Sequence, residues 1–237
     1  MAPAPALELR DIRAAYGRIE VLHGVSFTVP AGSVFALLGS NGAGKSTIHK
    51  VASGRLGPTN GCVHVAGIHI NGADADQIAR AGVCTIPEGR GIFPNLTVAE
   101  NLRMMTYAGK VKVKDVEERT FARFPHLAER RKQLAGSLSG GQQQMVAMAR
   151  ALATEPSLLL LDEISIGLAP LIVAELYELV RQLRDEGISI LVVEQFAQTA
   201  LAIADYAAVM SHGTIVAVGQ PQDIADEVSA AYLGGVA

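Results

Sequence analysis

The sequence predicts an α/β protein built on a mainly parallel sheet, and three observations carry that prediction. The apolar run Val34–Leu38 leads straight into Gly39-Ser40-Asn41-Gly42-Ala43-Gly44-Lys45-Ser46-Thr47 and then into a segment of helical character, which is the order strand, phosphate-cradling loop, helix. A second apolar run at 158–161 ends in Asp162 and Glu163. A strand buried on both faces tolerates two acids only at its end, where an open parallel sheet presents ligand-binding groups. Strands and helical stretches alternate in βαβ order, and right-handed crossovers then make the sheet mainly parallel.

At 237 residues with 49% hydrophobic side chains, the chain can fill a core as one large domain or one domain with subdomains. The formal net charge is −3 with both signs dispersed, so the basic stripe that neutralises a nucleic-acid backbone is missing and nucleic acid is not an expected partner. Residues 1–6 lack a positive region followed by an apolar one, and no apolar run approaches the length that crosses a bilayer. The expectation is a chain neither secreted nor membrane-spanning by itself. Cys62 and Cys84 form no C-x-x-C pair, which favours a reducing compartment, the cytoplasm, and no structural metal. Cys62, His64 and His69 could gather as metal ligands only if Gly67 makes a turn, because period-2 alternation puts His69 on the opposite face. Plain strand is expected there.

In chain order, residues 7–12 alternate as an edge or half-buried strand that ends at a turn over 14–17. Tyr16 in that turn is either a strand-end tyrosine or a ring stacked on a nucleotide base. Residues 22–29 give a second strand, and Pro30-Ala31-Gly32 turns it toward the strand that feeds the phosphate loop. In the loop, glycines let consecutive backbone N–H groups face a polyphosphate while the next helix presents its positive end to the same anion. Lys45 would reach the β- and γ-phosphates, Ser46 would place its hydroxyl on Mg²⁺, and Thr47 would add a donor toward the α-phosphate. Residues 48–56 continue the helix until Gly57-Pro58-Thr59-Asn60-Gly61 stops it, and His49 within it is expected to pack or to be partly exposed.

A strand pair at 62–70, a short helix around 74–81 and a buried strand at 83–87 follow, the last ending at Glu88-Gly89-Arg90-Gly91. From 96 to about 135 the composition turns helical and polar-faced, as in an inserted helical subdomain. Thr97 and Glu100 form a capping-box pattern, and the charge-rich stretch 111–119 suits a solvated face or loop. Leu138-Ser139-Gly140-Gly141-Gln142 opens a helix whose Met145, Met148, Ala149 and Leu152 fall at core spacing. A serine and two glycines at a helix start make a second anion-seeking end. Two such ends serve two phosphates of one ligand, or face a ligand held by another copy. At the acidic strand end, Asp162 suits direct or indirect Mg²⁺ binding and Glu163 could polarise the attacking water. A helix over about 170–186, a buried strand at 188–195 and a hairpin of 207–210 with 215–218 complete the chain.

The phosphate loop, L-S-G-G-Q at 138–142 and L-L-L-L-D-E at 158–163, in this order and spacing, resemble the ATP-binding subunits of ABC transporters over nearly the whole chain. L-S-G-G-Q is the most specific of the three, since other phosphate-loop NTPases and kinases lack it. The resemblance implies a P-loop NTPase fold of the ABC ATPase type. A single nucleotide-binding domain over 1–237 would have a core at about 1–88 and 155–237, an antiparallel β subdomain, and a helical subdomain at about 89–154. It also implies ATP and Mg²⁺ as cofactors. Ser139, Gly140 and Gly141, with Gln142 beside them, would contact the γ-phosphate held by Lys45 of a second subunit. Tyr16 then stands where the family keeps its adenine-packing aromatic, and Gln195 where most members place a histidine that contacts the γ-phosphate. Lys45, Glu163 and Gln195 become the catalytic group, and Ser46, Glu88 and Asp162 the metal-binding one.

Within the family, the run from Ile86 to Val98, Ser165-Ile166-Gly167-Leu168-Ala169-Pro170 and Val193-Glu194-Gln195 are similar to the second ATPase of branched-chain amino acid uptake systems, the LivF type. Ile164 departs from the proline that normally follows the glutamate, and Gln142-Gln143-Gln144 from a commoner glutamate before two glutamines. The resemblance implies an ATPase on the cytoplasmic face of the cell membrane, peripheral to it. Its partners would be a second ABC ATPase (homologue or self), two membrane permeases and, indirectly, an external solute-binding protein. Branched-chain amino acids, amides or urea, and small organic acids are all compatible solutes. Two rivals stand beside this reading. A soluble ABC ATPase acting on nucleic acid or protein assemblies would bring a second ATPase domain, a long coiled-coil insertion or a basic surface. A subunit that holds ATP without turnover is opposed by Glu163, while Gln195 leaves that reading open.

Overall fold

The computed structural model describes residues 4–89, 91–106 and 112–233. Arg90 of the loop after the predicted strand at 83–87 and Val111 of the charged stretch lie outside the described residues. The first half of the chain runs β1 (Leu7–Tyr16), β2 (Ile19–Val29), β3 (Val34–Leu38), α1 (Lys45–Ala52), β4 (Asn60–Val65), β5 (Ile68–His69), α2 (Ala75–Arg80) and β6 (Val83–Ile86). Among the described residues the α-helices α3 (Val98–Arg103), α4 (Val113–Arg123), α5 (Pro125–Ala128) and α6 (Gly140–Leu152) follow. The rest is β7 (Leu158–Asp162), α7 (Pro170–Asp185), β8 (Ser189–Glu194), α8 (Ala197–Leu201), β9 (Tyr206–Ser211), β10 (Thr214–Gly219) and α9 (Ala225–Leu233).

Among the described residues two sheets form, as the family resemblance implies. The larger has the order β10-β9-β3-β8-β7-β6, parallel throughout except where β10 returns antiparallel on β9. The smaller is antiparallel with the order β2-β1-β4-β5. β3, β7 and β8 are buried at every position, because both faces of the large sheet are covered. Period 2 divides their side chains between two cores. Leu158, Leu160, Leu191 and Val193 join Ile48 of α1 and the antiparallel sheet on one face. Leu159, Leu161, Ile190 and Val192 join Met148 of α6 and Leu176 and Val180 of α7 on the other. Among the described residues no helix is long and apolar enough to cross a membrane.

Several boundaries differ from the sequence reading. β1 runs on to Tyr16 and the turn falls at Gly17 and Arg18, so Tyr16 ends a strand rather than occupying a turn. α1 stops at Ala52, where the Ser53 N–H bonds the His49 carbonyl, four residues before the predicted end. The turn at Ala66 and Gly67 does form, and it pairs His64 with His69 across β4 and β5, ring centroids 5.1 Å apart. The two histidines therefore share a face. α8 and α9 have no counterpart in the prediction. They are alanine-rich and, with Ile224 just before α9, cover Ala36, Leu38, Ala207 and Val209 through Ala200 and Val228. The Thr97 and Glu100 capping box forms as expected, and equivalent boxes start α2 at Asp74 and α6 at Ser139.

Candidate functional site

β3 sits between β8 and β9 in the large sheet and delivers the chain into the loop 39–44 at the sheet's carboxyl edge. Gly39 has φ +155°, and a Cβ there would lie 2.4 Å from the Met210 carbonyl oxygen, so the close approach of loop to β9 requires glycine. Gly44 caps α1. Lys45 is only 4% exposed. Its ammonium donates to the carbonyls of Gly39 at 2.8 Å and Ser40 at 3.2 Å and lies 3.8 Å from Glu163 Oε1. Burial lowers its pKa, opposed by the charges of Glu163, Asp162 and Glu194. Three donors on a flexible stem can exchange loop carbonyls for phosphate oxygens in place. Ser46 is half-buried and Thr47 buried beside it, while Ser40, Asn41 and Gly42 face solvent and Ala43 is buried.

Asp162 ends β7 on the same face as Leu158 and Leu160, toward α1. Its Oδ1 is buried without a hydrogen-bond partner, and Oδ2 lies 3.6 Å from His49 Nδ1. Burial, with the charges of Glu163 and Glu88, pushes its pKa up to about 6, while Arg55 and Lys45 pull the other way. A buried carboxylate oxygen with nothing to accept from is what a cation site leaves behind. Together with the Ser46 hydroxyl it offers the oxygen donors that Mg²⁺ takes, so these residues fit that ion. Glu88 stands exposed just beyond β6, near enough to raise the Asp162 pKa. Glu163 adopts a left-handed backbone at φ +50°, and its N–H donates to the Val193 carbonyl at 2.9 Å.

His49 takes the packing alternative of the sequence reading. It is fully buried, with Nδ1 at 2.8 Å from Arg55 Nη2 and Nε2 at 2.8 Å from Thr85 Oγ1. Burial and the neighbouring Arg55 charge lower its pKa to about 4, so it is neutral at pH 7. An acceptor facing Arg55 at Nδ1 leaves Nε2–H to donate to Thr85. It braces the floor beneath Asp162 by joining α1 to β6.

Tyr16 is 43% exposed. Its hydroxyl accepts from Lys50 Nζ at 3.2 Å, and that ammonium lies 5.2 Å from the ring centroid, which fixes the ring beside α1. Burial raises the phenol's pKa, and bonds to Thr47 and Lys50 bring it below the usual value. Gln195 is half-buried immediately after β8. At the start of α6, Ser139 is exposed and its N–H donates to Gln142 Oε1 at 3.1 Å. Gln142 is thereby folded back as a cap. A Cβ on Gly141 would lie 2.5 Å from Ile172 Cγ2, so packing of α6 on α7 also demands this glycine. Among the described residues no hydrogen bond or ion pair joins 139–142 to the phosphate loop. The structure brings Lys45, Asp162 and Glu163 together, with Ser46 next to Lys45 in the chain, and does not join the second helix end to them.

Residues that the sequence reading missed surround these groups. The Gly39 N–H donates to the Tyr232 hydroxyl of α9 at 3.0 Å. Glu194, Ser165 and Tyr177 form a buried hydrogen-bonded set behind Glu163. The one available signal was Glu194 itself, a charge ending an otherwise largely apolar strand.

The sequence profile of the family described as ABC transporter matches residues 22–165. The chain is 41% identical over 232 residues to the high-affinity branched-chain amino acid transport ATP-binding protein BraG of Pseudomonas aeruginosa, covering 97% of this chain and 100% of that one. It is 34% identical over 215 residues to the Archaeoglobus fulgidus protein named "Probable branched-chain amino acid transport ATP-binding protein LivF", covering 90% and 91%. Among solved structures, the ADP conformation of MJ1267, an ATP-binding cassette of an ABC transporter, superposes with a TM-score of 0.87 at 27% identity, covering 97% of this chain and 99% of that one. With a phosphate loop, an acidic strand end and a serine-capped helix held in the fold of these relatives, the chain belongs to the ABC transporter family, as an ATP-binding subunit that hydrolyses ATP.

Proposed function

We propose that this chain is the motor subunit of an importer for branched-chain amino acids or related small polar solutes, peripheral on the cytoplasmic face of the cell membrane. The similarity to BraG and LivF supports the solute class. The observation that carries the chemistry is Lys45 Nζ at 3.8 Å from Glu163 Oε1, beside a buried Asp162 oxygen that has no partner. Gly39 to Thr47 would cradle the phosphates and Tyr16 would pack on the adenine. Ser46 and Asp162, with Glu88 close by, would hold Mg²⁺, which when bound offsets charge on the β- and γ-phosphates. Glu163 would take the proton from the attacking water and Gln195 would orient the γ-phosphate. Residues 1–237 act as one nucleotide-binding domain, with the helices of 89–154 as its inserted part.

Ser139, Gly140, Gly141 and Gln142 would complete the site of a second ABC ATPase, homologue or self. Residues 88–102 would dock one of two permeases, which an external solute-binding protein supplies. Phe93 presents a surface there, its ring 4.6 Å from the Arg150 guanidinium and its backbone held by Asn101. Closure on ATP would drive the permeases between two states and hydrolysis would reset them. Uptake of labelled leucine by cells carrying Glu163→Gln in place of the native chain tests the assignment. Loss of leucine uptake, with unrelated solutes unaffected, is the expected result; normal leucine uptake rejects the solute class.

A further inference from the structure

Glu194 is fully buried at the end of β8. A carboxyl in such a place is costly unless donors converge on it, and three do. Ser165 N–H and the Tyr177 hydroxyl donate to Oε1 at 3.2 and 2.9 Å, and the Ser165 hydroxyl meets Oε2 at 2.9 Å. The set links three elements: the end of β8, the loop after β7, and α7. Ser165 lies two residues beyond Glu163. Between them Ile164 is buried in the core shared with α6 and α7, so the loop is fixed by packing and by hydrogen bonds at once.

That fixation matters because Glu163 has φ +50°. A left-handed backbone is strained for any residue with a Cβ and persists only where its surroundings over-determine it. On the upstream side the restraint is visible: Asp162 pairs with Val193 in the ladder and Glu163 N–H bonds the Val193 carbonyl. On the downstream side the restraints are the packing of Ile164, the Ile166 N–H donated to the Glu163 carbonyl at 3.4 Å, and Ser165 held by Glu194. Released there, the backbone at 163 would relax toward extended conformations, and the carboxylate would swing away from its place 3.8 Å from Lys45.

We propose that Glu194 is a positioning residue for ATP hydrolysis, whose buried carboxyl clamps Ser165 and Tyr177 so that Glu163 keeps the strained backbone that faces it toward the phosphate loop. The inference rests on the reading of Glu163 as the base. Because Gln195 follows directly, the same clamp also fixes where β8 ends. Burial raises the Glu194 pKa while its bonds from Tyr177 and Ser165 oppose the rise. Burial and the Glu194 charge raise the Tyr177 phenol well above its usual value, so its hydroxyl stays a donor.

The hydrogen-bond arithmetic supplies a rescue. A glutamine at 194 can accept from Ser165 N–H and Tyr177 through its amide oxygen, and donate to the Ser165 hydroxyl through its amide nitrogen. An alanine can do neither. ATP turnover and ATP binding are measured on the full chain in its native assembly, purified through a tag. Glu194→Ala is expected to lower kcat by about 10-fold or more with KM for ATP within about twofold, as misplacement of a catalytic group does, and Glu194→Gln to recover at least about half of the lost kcat. An unimpaired Glu194→Ala overturns the proposal, and so do equal losses in the Ala and Gln variants or a parallel loss of kcat and ATP affinity. Should Glu194→Ala not fold, Tyr177→Phe carries the test, with kcat expected to fall at unchanged KM and an unchanged kcat overturning the idea. Glu163→Gln in the same assay separates the layers. If it still turns over, the base assignment fails and takes the proposal with it; if it is dead while Glu194→Ala is unimpaired, the proposal fails alone.

Discussion

Asp162 and Glu163 are sequence neighbours placed in different surroundings. The last ladder position of β7 turns Asp162 toward His49 and α1, and the left-handed step at Glu163 turns the next carboxylate toward Lys45. The proposed base and the proposed cation ligand are thus separated by one φ angle. Glu163→Gln is expected to reduce single-turnover hydrolysis by about 10² to 10⁴, the loss typical of a positioned base. Gln195→Ala, removing only an orienting hydrogen bond, should cost about 0.5 to 3 kcal/mol of barrier. Comparable rates for the two variants would reject this division of labour. The buried glutamate gives a pH signature as well. Its folded pKa is raised above the unfolded 4.5, so its contribution to stability is complete below that value and is lost as pH rises through the folded pKa. A neutral glutamine has no such loss. Calorimetry from pH 4 to 8 should show the melting-temperature difference, Glu194→Gln minus parent, growing with pH; a constant difference would mean that the group is not held above its usual range.

At the scale of elements, β3, β7 and β8 were legible because strands buried on both faces leave uninterrupted apolar runs, and α6 because its serine cap and core spacing agree. α9 was not legible. Its alanine and serine content carries little amphipathic signal, and its fold is decided by tertiary packing of Ile224 and Val228 on β3 and β9. For the same reason its tyrosine escaped notice, although Tyr232 reaches the phosphate loop across 193 residues of sequence. Phosphate-loop residues were legible because glycine spacing and a lysine are local signals. His49 and Glu194 were not, because their partners lie on other elements: Thr85 on β6 and Tyr177 on α7. Tyr232 also makes a testable case. The hydroxyl accepts the Gly39 N–H and thereby keeps the loop's first residue fixed, so Tyr232→Phe should weaken ATP binding by about 0.5 to 1.5 kcal/mol, the net worth of one hydrogen bond. Titration with a fluorescent ATP analogue measures it, and an unchanged affinity would show that Gly39 is fixed by its close packing on Met210 alone.

Across the whole molecule, the two anion-seeking helix ends stand on different parts of the fold. α1 rises over the core that contains the antiparallel sheet, and α6 over the core shared with α7. Within one chain they are not joined by any hydrogen bond or ion pair among the described residues, and Ser139 is exposed while Lys45 is buried. A phosphate held by Lys45 therefore has its own loop, carboxylates and Tyr232-braced glycine without any help from residues 139–142. On the proposed reading, a second subunit turned to face this one would bring such an end to the same phosphate. The two functions should then separate by mutation. Ser139→Arg places a bulky cation at the exposed cap without touching Lys45, so ATP affinity of the isolated chain should stay within about twofold, while turnover in the native assembly should fall by about 10² or more, since a donor to the developing phosphate charge is lost. Lys45→Ala should lose both, because its charge is part of the chain's own site. If Ser139→Arg weakens ATP binding by the isolated chain as much as Lys45→Ala does, then 139–142 serve the ligand of their own chain and the facing-subunit arrangement is wrong.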